Sequence, residues 1–513
     1  MARAVGSSHG GAPRRAPLRR RSAALARPAL APVSLLLGLV AAAAGCGGTD
    51  TVEITPPSAN AGAAGSGTTS RCAVGQRRAA LSVVDRSVIG EPAAYPSDPG
   101  LEQRFSTLAA SQRSRRETAW QIVQRVLAPS ALPAALGALG QPSLPAWQTW
   151  HAKDDLTRIF RHLYPELTPE ERALRAPFSP NALAQALVWN DTAISEYPDW
   201  TAQRLAAYGA AVDGASALAG LGGIYRVAYA PGASQQLLSS YAEVLGCRES
   251  PPGEAPLDPA DEGCGLPPSP PPECLSAAFP ASASIVKASW RRAGIGASLP
   301  LYDTSAEALE RRLSPAGKLS WEQPDGEADP GPEEIYTLRL PNGNLFRLAA
   351  LHIMTKELDH WFWTTLWWSP EPDTDFGADR PEHTNSPWDH YKLCSVVAFD
   401  EGDPDPSGGF ADDLPSLGAS LAATHGGAGG RTWCSNPYLE EGDGNAASNC
   451  IGCHQHAGTG LRSEDILADA ERFPDHGRRL VRSAFPSDYV FAVSVGDDLG
   501  AMYRETEDHY RTP

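Results

Sequence analysis

Residues Ile335 to Met354 read I-Y-T-L-R-L-P-N-G-N-L-F-R-L-A-A-L-H-I-M. Two apolar runs with aromatic and β-branched residues flank P-N-G-N. Asn-Gly tolerates the positive φ that a tight hairpin needs, so the stretch predicts two antiparallel strands joined by a turn. A few residues on, Trp361 to Trp368 reads W-F-W-T-T-L-W-W, which is aromatic and β-prone. Alternation puts Trp361, Trp363 and Trp367 on one face, as an aromatic core or a cofactor wall, with a carbohydrate platform as the alternative. Upstream, Ser284 to Trp290 reads S-I-V-K-A-S-W, another strand. Residues 281–400 are therefore expected to form a sheet-rich α+β region.

Working outward, residues 91–248 predict mainly helix. Trp120, Ile122, Val123 and Val126 recur at helical spacing. T-P-E-E-R starts a helix with Thr168 as cap, Pro169 in the first position and acids in the first turn. Q-Q-L-L-S-S-Y-A-E-V-L-G-C predicts one amphipathic helix stopping near Gly246. Residues 249–280 are Pro-rich and predict a linker. Residues 401–513 predict a loop-and-helix end. The fold class is α+β: a helical N-terminal half, a sheet-rich middle and a C-terminal loop-and-helix segment.

The first 45 residues carry seven Arg and no acid. They run from basic to apolar (P-V-S-L-L-L-G-L-V) to small, the order of a secretory signal. A-A-G-C, Ala43 to Cys46, is similar to the bacterial lipoprotein box, so residues 1–46 are expected to be a lipoprotein signal with Cys46 lipidated. Gly47 follows, not Asp, which leaves the periplasmic face or the outer membrane as the location in the cell envelope. Residues 47–90 are expected to be a flexible tether, being small, polar and aperiodic. The net charge of −17 makes nucleic acid an unsuitable partner.

Near the C-terminus stands N-C-I-G-C-H-Q-H-A-G, Asn449 to Gly458. C-x-x-C-H is the attachment motif of c-type haem. Each cysteine sulfur adds to one porphyrin vinyl group, and the adjoining histidine ligates the iron. Cys450, Cys453 and His454 are thus the expected haem c residues, with His454 as iron ligand. Zinc would want a second ligand pair at matching spacing, and no other C-x-x-C is present. A redox dithiol would want a thioredoxin-like βαβ surround. For the second axial position Met502 is the first candidate, followed by His352, with Met354 and His476 as further options and an open site as the alternative. Glu440, Glu441 and Asp443 lack a full calcium-loop pattern and read as a solvated turn. Six cysteines remain: Cys72, Cys247, Cys264, Cys274, Cys394 and Cys434. Export favours disulfides among them. Fifteen connectivities are open, with Cys264–Cys274 and Cys394–Cys434 favoured.

Several short elements together resemble a family. They are V-K-A-S-W at Val286–Trp290, H-I-M-T-K at His352–Lys356, W-F-W-T-T at Trp361–Thr365, C-S-N-P-Y at Cys434–Tyr438, and the C-x-x-C-H. The chain resembles large bacterial lipoproteins of the cytochrome c family over residues 280–460. That family continues W-x-W-x-T with an F-E-H-like triplet, where Leu366-Trp367-Trp368 stands here. The resemblance implies covalent haem c and little more, because the family's function is itself inferred mostly from the haem motif. The expected function is electron transfer with an envelope redox partner. The alternatives are a peroxidase-like haem enzyme or small-ligand sensor with an open iron site, and a structural lipoprotein with an added haem.

Overall fold

Ser111 separates the first two helices, α1 (Phe105–Ala110) and α2 (Gln112–Val126). Its extended backbone ends one, and its hydroxyl caps the next by accepting the Ser114 N–H at 3.3 Å. Helix α2 buries Trp120, Ile122, Val123 and Val126, as their spacing predicts. A short ribbon follows, β1 (Pro129–Ala131) with β2 (Ser143–Pro145). Then come β3 (His151–Ala152), α3 (Lys153–Leu163), α4 (Pro169–Ala173) and α5 (Pro180–Ala186). At α4 the expected cap is present. The Thr168 hydroxyl accepts the Glu171 N–H, and the Glu171 carboxylate accepts the Thr168 N–H.

Next are β4 (Tyr225–Tyr229), α6 (Pro231–Ser239) and α7 (Tyr241–Glu249). The single amphipathic helix expected here is two helices that break at Ser240, and the second runs past Gly246 to Glu249. A glycine inside a helix costs only about 1 kcal/mol, which burial of Val244, Leu245 and Cys247 offsets. The middle of the chain supplies β5 (Ser284–Ala293), β6 (Leu299–Leu301), α8 (Ala306–Arg312), β7 (Gly326–Ala328), β8 (Thr337–Arg339), β9 (Leu345–Thr355), β10 (Phe362–Trp368) and β11 (Tyr391–Val396). The C-terminal part adds α9 (Cys450–His454), α10 (Ser463–Ala468) and α11 (Leu499–Arg511).

This computed structural model describes residues 90–131, 143–188, 225–249, 273–294, 298–312, 320–339, 345–398, 434–440, 442, 444–468, 485–493 and 499–511. All lie in one compact unit, Ala61–Pro513. The signal and Cys46, the tether up to Gly90, Cys72, most of the Pro-rich linker with Cys264, the P-N-G-N turn and His476 lie outside the described residues.

The architecture is α+β. Seven strands form one antiparallel sheet in the order β11-β10-β9-β5-β4-β3, with β8 also paired to β9. The pairing of β8 with β9 is the hairpin that the Asn-Gly signal predicts. Strands β3 and β4 come from the mostly helical half, and β4 pairs along β5 from Tyr225↔Ser289 to Tyr229↔Ile285. Sheet and helices thereby share one hydrophobic core. On the helical side, Phe160 of α3 stacks on Tyr503 of α11 with ring centroids 4.1 Å apart.

Two disulfides are present. Cys394–Cys434 forms as expected. The Cys264–Cys274 expectation is corrected: Cys274 bonds Cys247 on α7 instead. The Cys274 N–H donates to the Pro486 carbonyl, and the Cα atoms of Cys247 and Cys274 lie 4.7 Å apart, within bridging range.

Candidate functional site

The site grows out of one row across the sheet. Lys287 on β5 is in register with His352 on β9, His352 with Thr365 on β10, and Thr365 with Cys394 on β11. Cross-strand partners share a face, so these four side chains form a line. The C-S-N-P-Y segment is fastened to that line. Cys434 is disulfide-bonded to Cys394. Asn436 donates from Nδ2 to the Thr365 hydroxyl at 2.6 Å and to the Leu366 carbonyl at 2.8 Å. Ser435 accepts from the Trp321 indole N–H at 2.9 Å.

Cys434 then positions the cysteine–histidine motif. It forms a parallel β-bridge with Asn449, and the Asn449 side chain caps α9 by accepting the Gly452 N–H at 2.6 Å. Helix α9 consists of Cys450 to His454. Both its thiols are buried and neither is in a disulfide. Burial pushes the Cys453 thiol up to about 12 and Cys450 well above its ordinary range, and the Glu440 carboxylate adds to both shifts.

His454 is oriented from behind. Its Nδ1 lies 2.8 Å from the Tyr489 carbonyl oxygen. A carbonyl can only accept, so Nδ1 carries the proton and Nε2 the lone pair. Burial pulls the ring down to about 4; the Tyr489 bond opposes this and Lys287 adds to it. The imidazole packs against Trp363 and Phe491, with ring centroids at 4.6 and 5.0 Å. The Trp cluster is wholly buried, in keeping with an aromatic wall. Trp361 itself precedes β10 and has a φ of 62°, so the strand alternation does not extend to it.

The loop carrying that carbonyl is strained. Asp488 and Tyr489 have φ values of 47° and 69°, a region that disfavours residues other than glycine. The Asp488 carboxylate accepts from Lys356 Nζ at 2.7 Å, the Trp361 indole N–H at 3.1 Å and the Phe279 N–H at 3.0 Å. The Tyr489 hydroxyl meets His360 Nδ1 at 2.7 Å.

Beside the motif lies a polar cluster. His352 Nε2 stands 3.8 Å from Glu440 Oε1, with 22% and 15% of their side-chain surfaces open. Yet burial is the dominant influence on both, lowering His352 well below its ordinary value and raising Glu440 to about 7. Both side chains are therefore largely enclosed and keep a small accessible face. Lys287 is half-buried, and its charge acts on His352, His454 and Glu440 alike. The solvated-turn expectation is corrected for Glu440, which turns inward because Asn436 holds its carboxylate through a backbone N–H. Glu441 and Asp443 lie outside the described residues.

The structure thus brings Cys450, Cys453, His454 and His352 together. It turns Met502 elsewhere: on α11, the Met502 sulfur accepts from the Thr157 hydroxyl of α3 at 2.9 Å. Met354 is in register with Trp363, at the edge of the same face. Sequence reasoning missed Lys287, Glu440 and Tyr489 as site residues. Only Lys287 left a signal, a charge set between Val286 and Ala288 in an apolar run.

These residues fit a covalent haem. Two unbridged thiols sit one helical turn apart, the next residue offers a fixed imidazole lone pair, and an aromatic wall adjoins it. Among the described residues no group of three or more His, Cys, Asp or Glu side chains is gathered to hold a bare metal ion. No described helix is long and apolar enough to cross a membrane. Comparison with known proteins finds no matching family model, no similar curated protein and no similar solved structure.

Proposed function

We propose that this protein is an exported c-type cytochrome, lipid-anchored at Cys46, that carries single electrons to or from a redox partner at the cell envelope. The observation that carries the reading is the bond from His454 Nδ1 to the Tyr489 carbonyl, which leaves Nε2 free beside two unbridged buried thiols. Metal-ligating histidines are characteristically held by such a bond on the other ring nitrogen. Cys450 and Cys453 would hold the haem through thioethers, and His454 Nε2 would ligate its iron. When bound, haem supplies one-electron iron chemistry. The chain's own contribution is orientation and exclusion of water: Tyr489 fixes the imidazole, while Trp363 and Phe491 cover it.

One observation favours the second reading, a haem enzyme or small-ligand sensor. An outer-sphere electron carrier needs no ionisable cluster at its haem, and here Lys287, His352 and Glu440 gather beside the motif.

The test is expression with a c-type maturation system. The expected result is a pyridine haemochrome of two thioether links, lost in Cys450→Ala/Cys453→Ala. Haem that extracts into acidified organic solvent refutes the covalent reading. Labelling with an alkyne fatty acid should tag wild type and not Cys46→Ser; equal labelling refutes the anchor.

A further inference from the structure

Lys287 has an unusual position. It lies at the inner part of a central strand, flanked by the buried Val286 and Ala288. Its ammonium sits 5.4 Å from the Tyr225 ring centroid. Among the described residues no ion pair joins it to a carboxylate. The neighbouring His352 is also under-used, since its buried Nδ1 has no hydrogen-bond partner. An ammonium and an imidazole aligned across two strands, both short of acceptors, match a ligand that brings acceptors and negative charge. Glu440, 3.8 Å from His352 Nε2, is the one acid described against them. The Asn436 N–H takes one oxygen of that carboxylate, Oε2, and the other faces His352, so one ammonium beside one acid suits a ligand of no more than one negative charge. Of the neighbouring polar groups, Asn436 Nδ2 is already spent on Thr365 and Leu366. With two donors to offer, the Lys287–His352 pair suits a small inorganic anion rather than an organic acid with its own hydrogen-bonding demands.

We propose that Lys287 and His352 form a binding site for a small monovalent inorganic anion beside His454, where it would reach the haem iron. This deepens the haem reading above and rests on it. Lys287 supplies the charge and His352 a hydrogen-bond donor. His352 then acts on the bound ligand and does not itself occupy the iron.

The probe is sodium azide, titrated optically into the ferric, haem-loaded full chain. Wild type should show a saturable spectral change. Lys287→Met should weaken azide about tenfold or more, as expected for loss of one charge-assisted contact. Lys287→Arg should recover most of that loss. Met is close to Lys in length and suits a buried strand, and circular dichroism of each variant checks that it folds. No azide-dependent change, or equal affinity in wild type and Lys287→Met, overturns the proposal. So does a low-spin ferric spectrum that turns high-spin in His352→Gln, which would put His352 on the iron. A preparation without thioether-linked haem overturns the haem reading and this site with it, and the haemochrome reports that before any azide is added.

Discussion

His454 Nδ1 and the Tyr489 carbonyl oxygen lie 2.8 Å apart, and Tyr489 presents that oxygen from a left-handed backbone with φ 69°. The strain, of order 1–3 kcal/mol per residue, persists only where surroundings over-determine it. Here the determinant is Asp488, tied to Lys356, Trp361 and Phe279.

Replacing Asp488 by Ala should therefore loosen the carbonyl. The Lys356–Asp488 pair is nearly buried, at 8% and 13% exposure. Breaking such a pair costs roughly 3 kcal/mol, measurable by denaturant unfolding. A weaker bond to Nδ1 makes Nε2 a poorer donor to ferric iron, so the reduction potential should rise in a potentiometric titration. An unchanged potential would show that Tyr489 does not tune His454.

Asn449→Ala removes the cap of α9. The expected loss is about 1 kcal/mol, together with a lower yield of attached haem per polypeptide. The ratio of haem absorbance to protein mass reads this directly.

Glu440 gives a pH-dependent prediction. Its folded value, about 7, lies above the ordinary carboxylate value of 4.5. The protonated form is thus favoured by folding: its contribution is complete below 4.5 and is lost as pH rises through 7. Glu440→Gln should stabilise the protein at pH 8, by up to about 3 kcal/mol. The gain should vanish below pH 4.5. Equal effects at both pH values would mean the change acts through packing.

Cys394→Ser/Cys434→Ser opens a loop with a sequence separation of 40. Loss of about 4 kcal/mol is expected from the chain-entropy relation. Because Cys434 also pairs with Asn449, haem attachment should fall along with stability.

Met502→Ala should leave the haem spectrum unchanged, since the Met502 sulfur is directed at Thr157. A near-infrared sulfur–iron band in the ferric wild type that disappears in this variant would show the opposite.

What the chain states locally, it states legibly. Thr168 and Glu171 cap one helix, β8 pairs with β9, α2 buries the residues its period predicts, and β5, β9 and β10 form where their apolar runs stand. The cysteine–histidine motif is local in the same way: Cys450, Cys453 and His454 lie within one short helix. Such features depend on residues a few positions apart. Tertiary structure alone decided the rest. Cys274 chose Cys247 because α7 packs there, and nearness in sequence did not prevail. Lys287 met His352 through the register of β5 on β9, which every pair along those strands sets jointly. Glu440 turned inward because Asn436 captured it, and Tyr489 reached His454 through a loop held by Phe279 and by the β9–β10 connection. Long-range pairings carry no local period or cap chemistry to announce them, so only the folded packing, which brings distant segments into contact, selects them.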